Sequence, residues 1–389
     1  MSGQTAFWDH FWLAKFLLQF AGILPIGGSS ALWKSVLTEF LATLPLWASF
    51  YLLIPEVQYI CCQNPSVDGL LEALVIISAV LTGQFRSVFV MVYRHRIMSL
   101  FLICETMWEE ADLADRKIML PWVKLGKIIS TVFFYGANCV VAMHILNTVV
   151  KQISAPANST TKFYPFIPEE DSTPSPQYEI KYTLQTIISY IGVSYIAACD
   201  MTGTILSFNM CGHFAVVRSW LLELSKENFD EADGNSNASF QEGLKKCIRR
   251  HQIVLELCAE LEDVNQYNYI IQIVTEMYIM AISAAEFTKL QNFGSLQHLI
   301  TFLLAINGLF FSCWPADTLS VESSNIAQVV YGVPWYQGSR SERIMVAVML
   351  ARSQRPATLS AAKFVVLSLE TFSSITSSGI SLCMLLSSF

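Results

Sequence analysis

Seven long apolar runs, separated by polar segments, constrain this sequence more than any other feature. A helix needs about 20 apolar residues to cross the hydrocarbon core of a bilayer. The runs occupy residues 36–54, 70–92, 126–150, 180–211, 267–288, 297–316 and 358–386. Backbone in hydrocarbon must satisfy its own hydrogen bonds, so runs of this length form helices. The sequence therefore predicts an all-α, polytopic membrane protein with seven transmembrane helices.

The composition agrees with a membrane protein and excludes several other classes. Of the 389 residues, 53% are hydrophobic and only 14% are charged, whereas soluble domains carry about 25% charged residues. The sequence has no Walker loop, GxSxG or HExxH motif, and its six histidines are dispersed. We therefore expect neither an enzyme nor a metal or cofactor site. No basic surface suggests a nucleic-acid partner.

The distribution of Lys and Arg predicts the orientation of the chain. These residues concentrate in the N-terminus and in the second, fourth and sixth loops, whereas the opposite loops hold only Lys151, Lys162, Lys181 and Lys289. Positively charged loops stay in the cytoplasm, so we expect a cytoplasmic N-terminus and an extracellular C-terminus. Asn158, in an Asn-Ser-Thr sequon of the third loop, is then a candidate glycosylation site.

These features divide the chain into six parts. They are an N-terminal cytoplasmic or interfacial helix (1–34), transmembrane helices one to four (35–212) with an extracellular loop (151–179), a cytoplasmic loop with helices (213–266), transmembrane helices five and six (267–316), a cytoplasmic anchor segment (317–357) and a seventh, pore-lining helix (358–389). The cytoplasmic helices carry apolar faces that would be buried if they packed between subunits.

The charged residues that fall inside predicted spans include Arg86, Asp200 and Glu276, and a structural pair and a functional role are both open for Glu276. Arg86 lies about two turns from the predicted cytoplasmic end of its span, so we interpret it as a side chain that snorkels to the interface, with a buried ion pair as the alternative. Asp200 falls near mid-membrane, where a carboxylate needs a partner, a proton or water. A structural pair and a functional role both remain open for Asp200.

The last apolar run carries a polar stripe. At 100° per residue, Glu370, Ser374, Ser377 and Ser381 fall on one face and the remaining faces are apolar. Small polar faces in hydrocarbon pack against neighbouring helices, which is the interpretation that the residues alone favour. The alternative is a pore wall, which requires several copies around a common axis.

Short motifs between residues 311 and 389 occur in an order that resembles the C-terminal signature of insect odorant receptors. They are Cys313-Trp314-Pro315-Ala316-Asp317, Glu322-Ser323, Tyr331, Trp335-Tyr336, Arg352-Ser353-Gln354-Arg355-Pro356 and Lys363-Phe364. The resemblance covers the whole chain, since the number of spans and the orientation also fit. It implies an odorant-specific subunit that assembles with a shared odorant co-receptor, as a heterotetramer, into an odorant-gated, nonselective cation channel. It also implies a multi-pass protein of the plasma membrane, expected in the dendrite of an olfactory sensory neuron.

The resemblance further implies a ligand pocket in the outer half of spans two to six and a pore lined by the last helix. By their depth in these spans we predict ligand contacts from Met143, His144, Tyr190, Ser194, Tyr195, Met277, Tyr278 and Phe302. Such aromatic and thioether side chains suit a small volatile ligand held mainly by shape. By position along the last helix, the predicted pore and gate residues are Ser374, Ser378, Ser381, Leu385 and Phe389.

Three other classes compete with this interpretation. A G-protein-coupled chemoreceptor would also have seven spans, but its N-terminus would be extracellular and its last span would carry an Asn-Pro-x-x-Tyr motif, which is absent here. A gustatory-type ligand-gated channel typically carries Thr-Tyr and Gln-Phe in its last helix, of which only Phe389 is retained. A secondary transporter would have internal repeats or broken helices, and neither is found.

Overall fold

A computed structural model describes most of the chain. It covers residues 6–25, 32–62, 65, 67–156, 160–166, 170–171, 173–226, 234–289 and 293–386. In these ranges the helices are α1 Phe7–His10, α2 Trp12–Phe20, α3 Leu32–Cys62, α4 Val67–Glu109, α5 Leu113–Ser154, α6 Gln177–Leu224, α7 Gly234–Lys289, α8 Phe293–Gly332, α9 Arg340–Ser353 and α10 Leu369–Leu386. Two antiparallel pairs complete the described structure, β1 Thr161–Lys162 with β2 Glu170–Asp171, and β3 Ser360–Ala361 with β4 Val365–Val366.

The predicted all-α, membrane-spanning architecture is confirmed. Within the described residues, six helices, α3 to α8, are long and apolar enough to cross a membrane. The apolar helix α10 adds 18 residues, which corresponds to about 27 Å of helix. Together they give six long spanning helices and a shorter seventh.

The helices continue well beyond the predicted spans. α7 has 56 residues, or about 84 Å of helix, and joins the predicted cytoplasmic helix and the predicted fifth span without a break. α8 also continues past the predicted sixth span, 297–316, to Gly332, with Pro315 inside the helix. The ends of α6 and α7 that lie beyond the spans bury Phe214, Leu221 and Leu244 in a common core.

The N-terminal part, for which the sequence predicts a single cytoplasmic or interfacial helix, forms two short helices, α1 and α2, within residues 6–25. The chain turns at Phe11 between α1 and α2. Phe7, Phe11 and Leu18 are buried in the main core, whereas Trp12 and Phe16 remain exposed. The segment is therefore amphipathic, and its apolar face packs against the helical bundle.

The last helix begins later than its apolar run suggests. Residues 360–366 form a hairpin whose turn places Ala362 and Lys363 at φ angles of 50° and 61°. The Phe364 N–H donates to the Ala361 carbonyl across this turn at 3.0 Å, and the Ala362 N–H donates to the Gln266 carbonyl of α7 at 2.9 Å. α10 consequently starts at Leu369, not at residue 358, where the predicted last helix begins.

One face of α10 packs against α7 and α8. Phe372 and Ile375 contact a cluster formed by Met280, Ala305 and Leu309. A glycine follows at position 379, where a Cβ atom would collide with the Met280 side chain. The close approach of the two helices fixes which face of α10 remains uncovered in the single chain.

Candidate ligand cavity and pore-facing helix

A cavity of about 230 Å³ lies inside the bundle formed by α3 to α8. Along α4 its wall extends from Val75 to Arg86, a distance of about 16 Å on the helix axis. Most of the wall is aliphatic, and small residues such as Ala137, Gly192 and Ala305 leave the space open. The cavity is therefore long, narrow and apolar along most of its length.

The segment between α5 and α6 covers one end of the cavity, which we call the loop end. Phe166 of this segment lines the cavity, and its ring centroid lies 5.2 Å from that of His144. The Phe166 N–H donates to Gln185 Oε1 at 3.2 Å, which holds the segment against α6. At this end the wall is aromatic, with His144 as its polar group.

Two amide side chains hold the His144 ring in place. Gln297 Nε2 lies 2.8 Å from His144 Nδ1, and Asn147 Nδ2 donates to Gln297 Oε1 at 2.6 Å. The amide of Gln297 thus donates to the ring and accepts from Asn147, and this network links α5 to α8. If Nδ1 accepts this bond, the neutral ring carries its proton on Nε2.

The opposite, inner end of the cavity is charged. Arg86 Nη1 lies 2.5 Å from Asp200 Oδ1 and donates to the Ile196 carbonyl at 3.1 Å. Both side chains are buried, at 1% and 7% exposure. The interpretation of Arg86 as a snorkelling side chain is therefore wrong, because the residue points between α4 and α6 instead of toward the interface. Asp200 has a structural partner, as one of its two interpretations required.

Glu276 of α7 completes this inner end. It lines the cavity with Arg86 and Gln272. Its carboxyl group lies against α8 at Gly308, where a Cβ atom would come within 2.7 Å of Glu276 Oε1. Gln272 bridges the same helices, since its Nε2 donates to the Gly308 carbonyl at 3.3 Å and its Oε1 accepts from Ser312 at 2.9 Å.

The structure brings only part of the predicted ligand set to this cavity. His144 and Tyr195 line it, whereas the other six residues do not. Tyr190 packs beside the cavity against the cluster of Leu52, Val141 and Phe166. Phe302 packs against the cluster beneath α10. Each residue therefore lies near the cavity, on a different face of its helix.

The remaining predicted contacts lie on other surfaces. Met277 is close to Gly379 of α10, and Met143, Ser194 and Tyr278 are half-buried outside the cavity wall. Glu276 is not in the predicted ligand set, although an ionisable residue inside a span is a functional candidate by default, and the structure places it in the cavity wall.

The predicted pore residues fall on the uncovered face of α10 where the structure describes them. Ser374, Ser378 and Ser381 are exposed, and Ser378 and Ser381 donate to carbonyl groups one turn earlier in the helix. Leu385 belongs to α10, but its side chain is not among those described. Phe389 and the candidate glycosylation residue Asn158 both lie outside the described residues.

Comparison with known proteins gives a family match and several relatives. Residues 66–379 match the family described as 7tm Odorant receptor. Odorant receptor 10 of Aedes albopictus is 25% identical over 215 residues, which are 54% of this chain and 55% of that protein. The Odorant receptor coreceptor of Anopheles gambiae is 24% identical over 183 residues, 43% of this chain and 38% of that protein. This chain therefore spans about half or less of the length of these relatives.

The fold is similar to that of a solved structure over almost its whole length. The insect olfactory receptor OR5 from Machilis hrabei matches with a TM-score of 0.77 at 15% identity, covering 97% of this chain and 99% of that one. The structure of the same receptor in complex with eugenol matches with a TM-score of 0.75 at 14% identity. At this level of identity the similarity establishes the fold.

Proposed function

Since this chain belongs to the 7tm odorant receptor family, we propose that it is an odorant-specific subunit of a ligand-gated, nonselective cation channel. The observation that carries this proposal is the elongated apolar cavity inside the bundle of α3 to α8. An apolar wall with a few polar groups is typical of small-molecule sites. Because the family consists of receptors, we do not interpret the cavity as the active site of an enzyme.

The cavity suits a small volatile ligand that is mostly hydrocarbon. Val141, Val193 and Leu304 present aliphatic surface from three different helices, and transfer of apolar surface from water to such a wall stabilises a complex by about 25 cal/mol per Å². His144 at the loop end and Tyr195 on α6 are the predicted contacts that we retain as ligand-binding residues.

The pore in this proposal is lined by α10. Its serine stripe is uncovered in the single chain, whereas its apolar face is occupied by α7 and α8. Copies of α10 around a common axis would turn the stripe of Ser374, Ser378 and Ser381 toward permeant cations. Leu385 and Phe389, near the end of the chain, are the proposed hydrophobic gate, which closes by excluding water.

Assembly with an odorant co-receptor completes the proposal. Beyond the spans, Tyr331, Tyr336, Ile344 and Val348 are 55–66% exposed, and so much apolar surface on one region marks an interaction site. The Lys and Arg distribution supports a cytoplasmic location for this region. We therefore propose that it anchors the subunits of a heterotetramer in the plasma membrane, with Asn158 glycosylated on the outside.

The test is a whole-cell current recorded from cells that express this chain with an insect odorant co-receptor, during exposure to a panel of volatiles. Gly192 lines the cavity, and an added Cβ there meets no atom within 4 Å. We expect Gly192→Leu to occupy ligand space and to reduce agonist potency by about tenfold or more, since a site filled by protein atoms excludes ligand.

Gly332 provides the matched control. It also has open space around an added Cβ, but it lies at the end of α8 and outside the cavity wall. Gly332→Leu should leave agonist potency within about twofold of the original. Currents that require G-protein signalling, or equal effects of the two substitutions, would contradict the proposal.

A further inference from the structure

We propose that the inner end of the cavity selects ligands that carry a hydrogen-bond donor, and that Glu276 is the acceptor. The inference rests on the proposed function and names the chemical class of the ligand: a small apolar molecule with one hydroxyl or amino group. The group would reach Glu276 while the hydrocarbon part extends toward Phe166 at the loop end.

The charges at the inner end leave one carboxyl group without a partner. Arg86 forms an ion pair with Asp200, as described above, so the formal charges of these two residues cancel. Among the described residues, Glu276 forms no ion pair and no hydrogen bond, although it lines the cavity. A carboxyl group inside a membrane protein needs a partner, and the cavity is the space from which one can come.

Apart from His144 and Ser189, the other polar side chains of the wall have already used their donors. Thr82 and Thr301 donate to carbonyl groups one turn earlier in their own helices, at 2.8 and 3.0 Å. Ser49 donates to the Leu46 carbonyl at 2.9 Å. The Gln272 amide is hydrogen-bonded to α8, as described above. An entering ligand therefore finds few donors with which an ester or ketone oxygen could pair.

His144 can offer its Nε2–H only at the loop end, and the two other donors near the cavity that lack a partner among the described residues are not accessible. They are Arg86 Nε and Ser189 Oγ, and both atoms are fully enclosed by protein. At the inner end, the acceptors of Glu276 thus exceed the donors that the wall can offer to a ligand. A hydrogen bond to a buried carboxyl group changes the Kd of a ligand by about tenfold or more, so this imbalance is large enough to determine which ligands bind.

The position of Glu276 is fixed by a neighbouring glycine. The carboxyl group occupies the space that a side chain at Gly308 would fill. Gly308→Ala should therefore displace the carboxyl group without adding any group to the cavity wall, because Gly308 does not line the cavity. This variant therefore tests whether the position of the Glu276 carboxyl group matters, because it moves that group without changing its chemical identity.

The experiment measures equilibrium binding to the purified full chain in nanodiscs, with five probes that share one ring. Benzyl alcohol and benzylamine carry donors, benzaldehyde and benzyl methyl ether carry acceptors only, and toluene carries neither. For the wild type we expect the Kd of benzyl alcohol to be about tenfold or more below that of benzyl methyl ether. Glu276→Leu should bring this ratio close to one, and Gly308→Ala should reduce it.

Further variants show whether the cavity prefers a neutral hydroxyl group or a charged amino group on the ligand. Glu276→Gln keeps an acceptor oxygen but removes the negative charge of the carboxylate and adds two amide donors, so it should weaken the preference for benzyl alcohol and abolish any preference for benzylamine. Glu286→Gln is the matched control: it changes another buried carboxyl group of α7, which does not line the cavity. It should leave all ratios unchanged.

Several outcomes would overturn the inference. They are tighter binding of benzaldehyde than of benzyl alcohol, a donor preference that persists in Glu276→Leu, and no binding of any probe. Currents recorded in parallel with the co-receptor test the proposed function separately. Donor-selective binding without current would contradict the proposed channel function and leave the inference about Glu276 intact. Current without donor-selective binding would support the channel function and contradict the inference about Glu276.

Discussion

At the scale of single residues, the buried ion pair between Arg86 and Asp200 is the contact that most clearly joins structure to stability. It connects α4 to α6 at the inner end of the cavity, and Arg86 also bonds to the Ile196 carbonyl. Two charges buried together remain compatible with a low-dielectric interior, but one charge left alone is costly. The pair therefore stabilises the cavity as a unit.

Removal of either partner should destabilise the protein more than removal of both. Arg86→Leu and Asp200→Leu each leave one uncompensated charge, and we expect each to lower the free energy of unfolding by about 3–5 kcal/mol. The double variant should recover most of this loss. Thermal unfolding of the chain in detergent, followed by tryptophan fluorescence, measures the difference.

The double variant is the decisive comparison. If it is as unstable as the sum of the two single variants, the side chains act independently and the ion pair has no structural role. The Arg94–Glu39 pair is the control, because the Glu39 side chain is 55% exposed. Exposed pairs contribute about 0–1 kcal/mol, so Glu39→Gln should have little effect.

At the scale of secondary-structure elements, the hairpin before α10 determines where the last helix begins. Its turn requires two successive residues with positive φ, and neither Ala362 nor Lys363 is glycine. Left-handed backbone costs a residue with a Cβ atom roughly 1–2 kcal/mol. The hydrogen bond from Ala362 to Gln266 of α7 and the pairing of β3 with β4 offset this cost.

Lys363→Gly should therefore stabilise the protein. Glycine adopts positive φ without steric penalty, and Lys363 is exposed, so the change removes no packing. We expect the free energy of unfolding to rise by about 1 kcal/mol, measured by thermal unfolding. Lys363→Ala removes the charge but keeps the Cβ atom, and equal stability of the two variants would show that the backbone conformation is not the cause.

At the scale of the whole molecule, α10 connects the cavity to the proposed pore. Its packed face contacts α7, the helix that also contributes Thr275, Glu276 and Ile279 to the cavity wall. A ligand that fits one arrangement of α7 better than another shifts the population of that arrangement. The same helix can therefore transmit occupancy of the cavity to the position of α10.

Cysteine accessibility tests the proposed direction of the serine stripe. In a channel with Cys383 replaced by alanine, we expect Ser377→Cys to react with a charged thiol reagent and to lose about half or more of its current, because a charged adduct in a narrow pore obstructs cations. Ile375→Cys lies on the face packed against α7 and α8 and should be protected. Equal reaction rates at the two positions would contradict a pore formed by this face.

The sequence determined the class of the fold because hydrophobic length alone decides it. A run of about 20 apolar residues has few alternatives to a membrane helix. The first six predicted spans fall within α3 to α8, and α10 forms the later part of the seventh. The order of short motifs from Cys313 to Phe364 indicated the odorant receptor family, which the match over residues 66–379 confirmed.

Only the tertiary structure decided which face of each helix surrounds the cavity. Side chains that face lipid and side chains that face the bundle are both apolar, so the pattern along a span carries little information about its rotation. Ile188 lines the cavity, for example, whereas the predicted Tyr190 packs beside it. The partner of Arg86, the space that Gly308 leaves for Glu276 and the start of α10 at Leu369 likewise depend on residues distant in sequence, which meet only when the bundle is assembled.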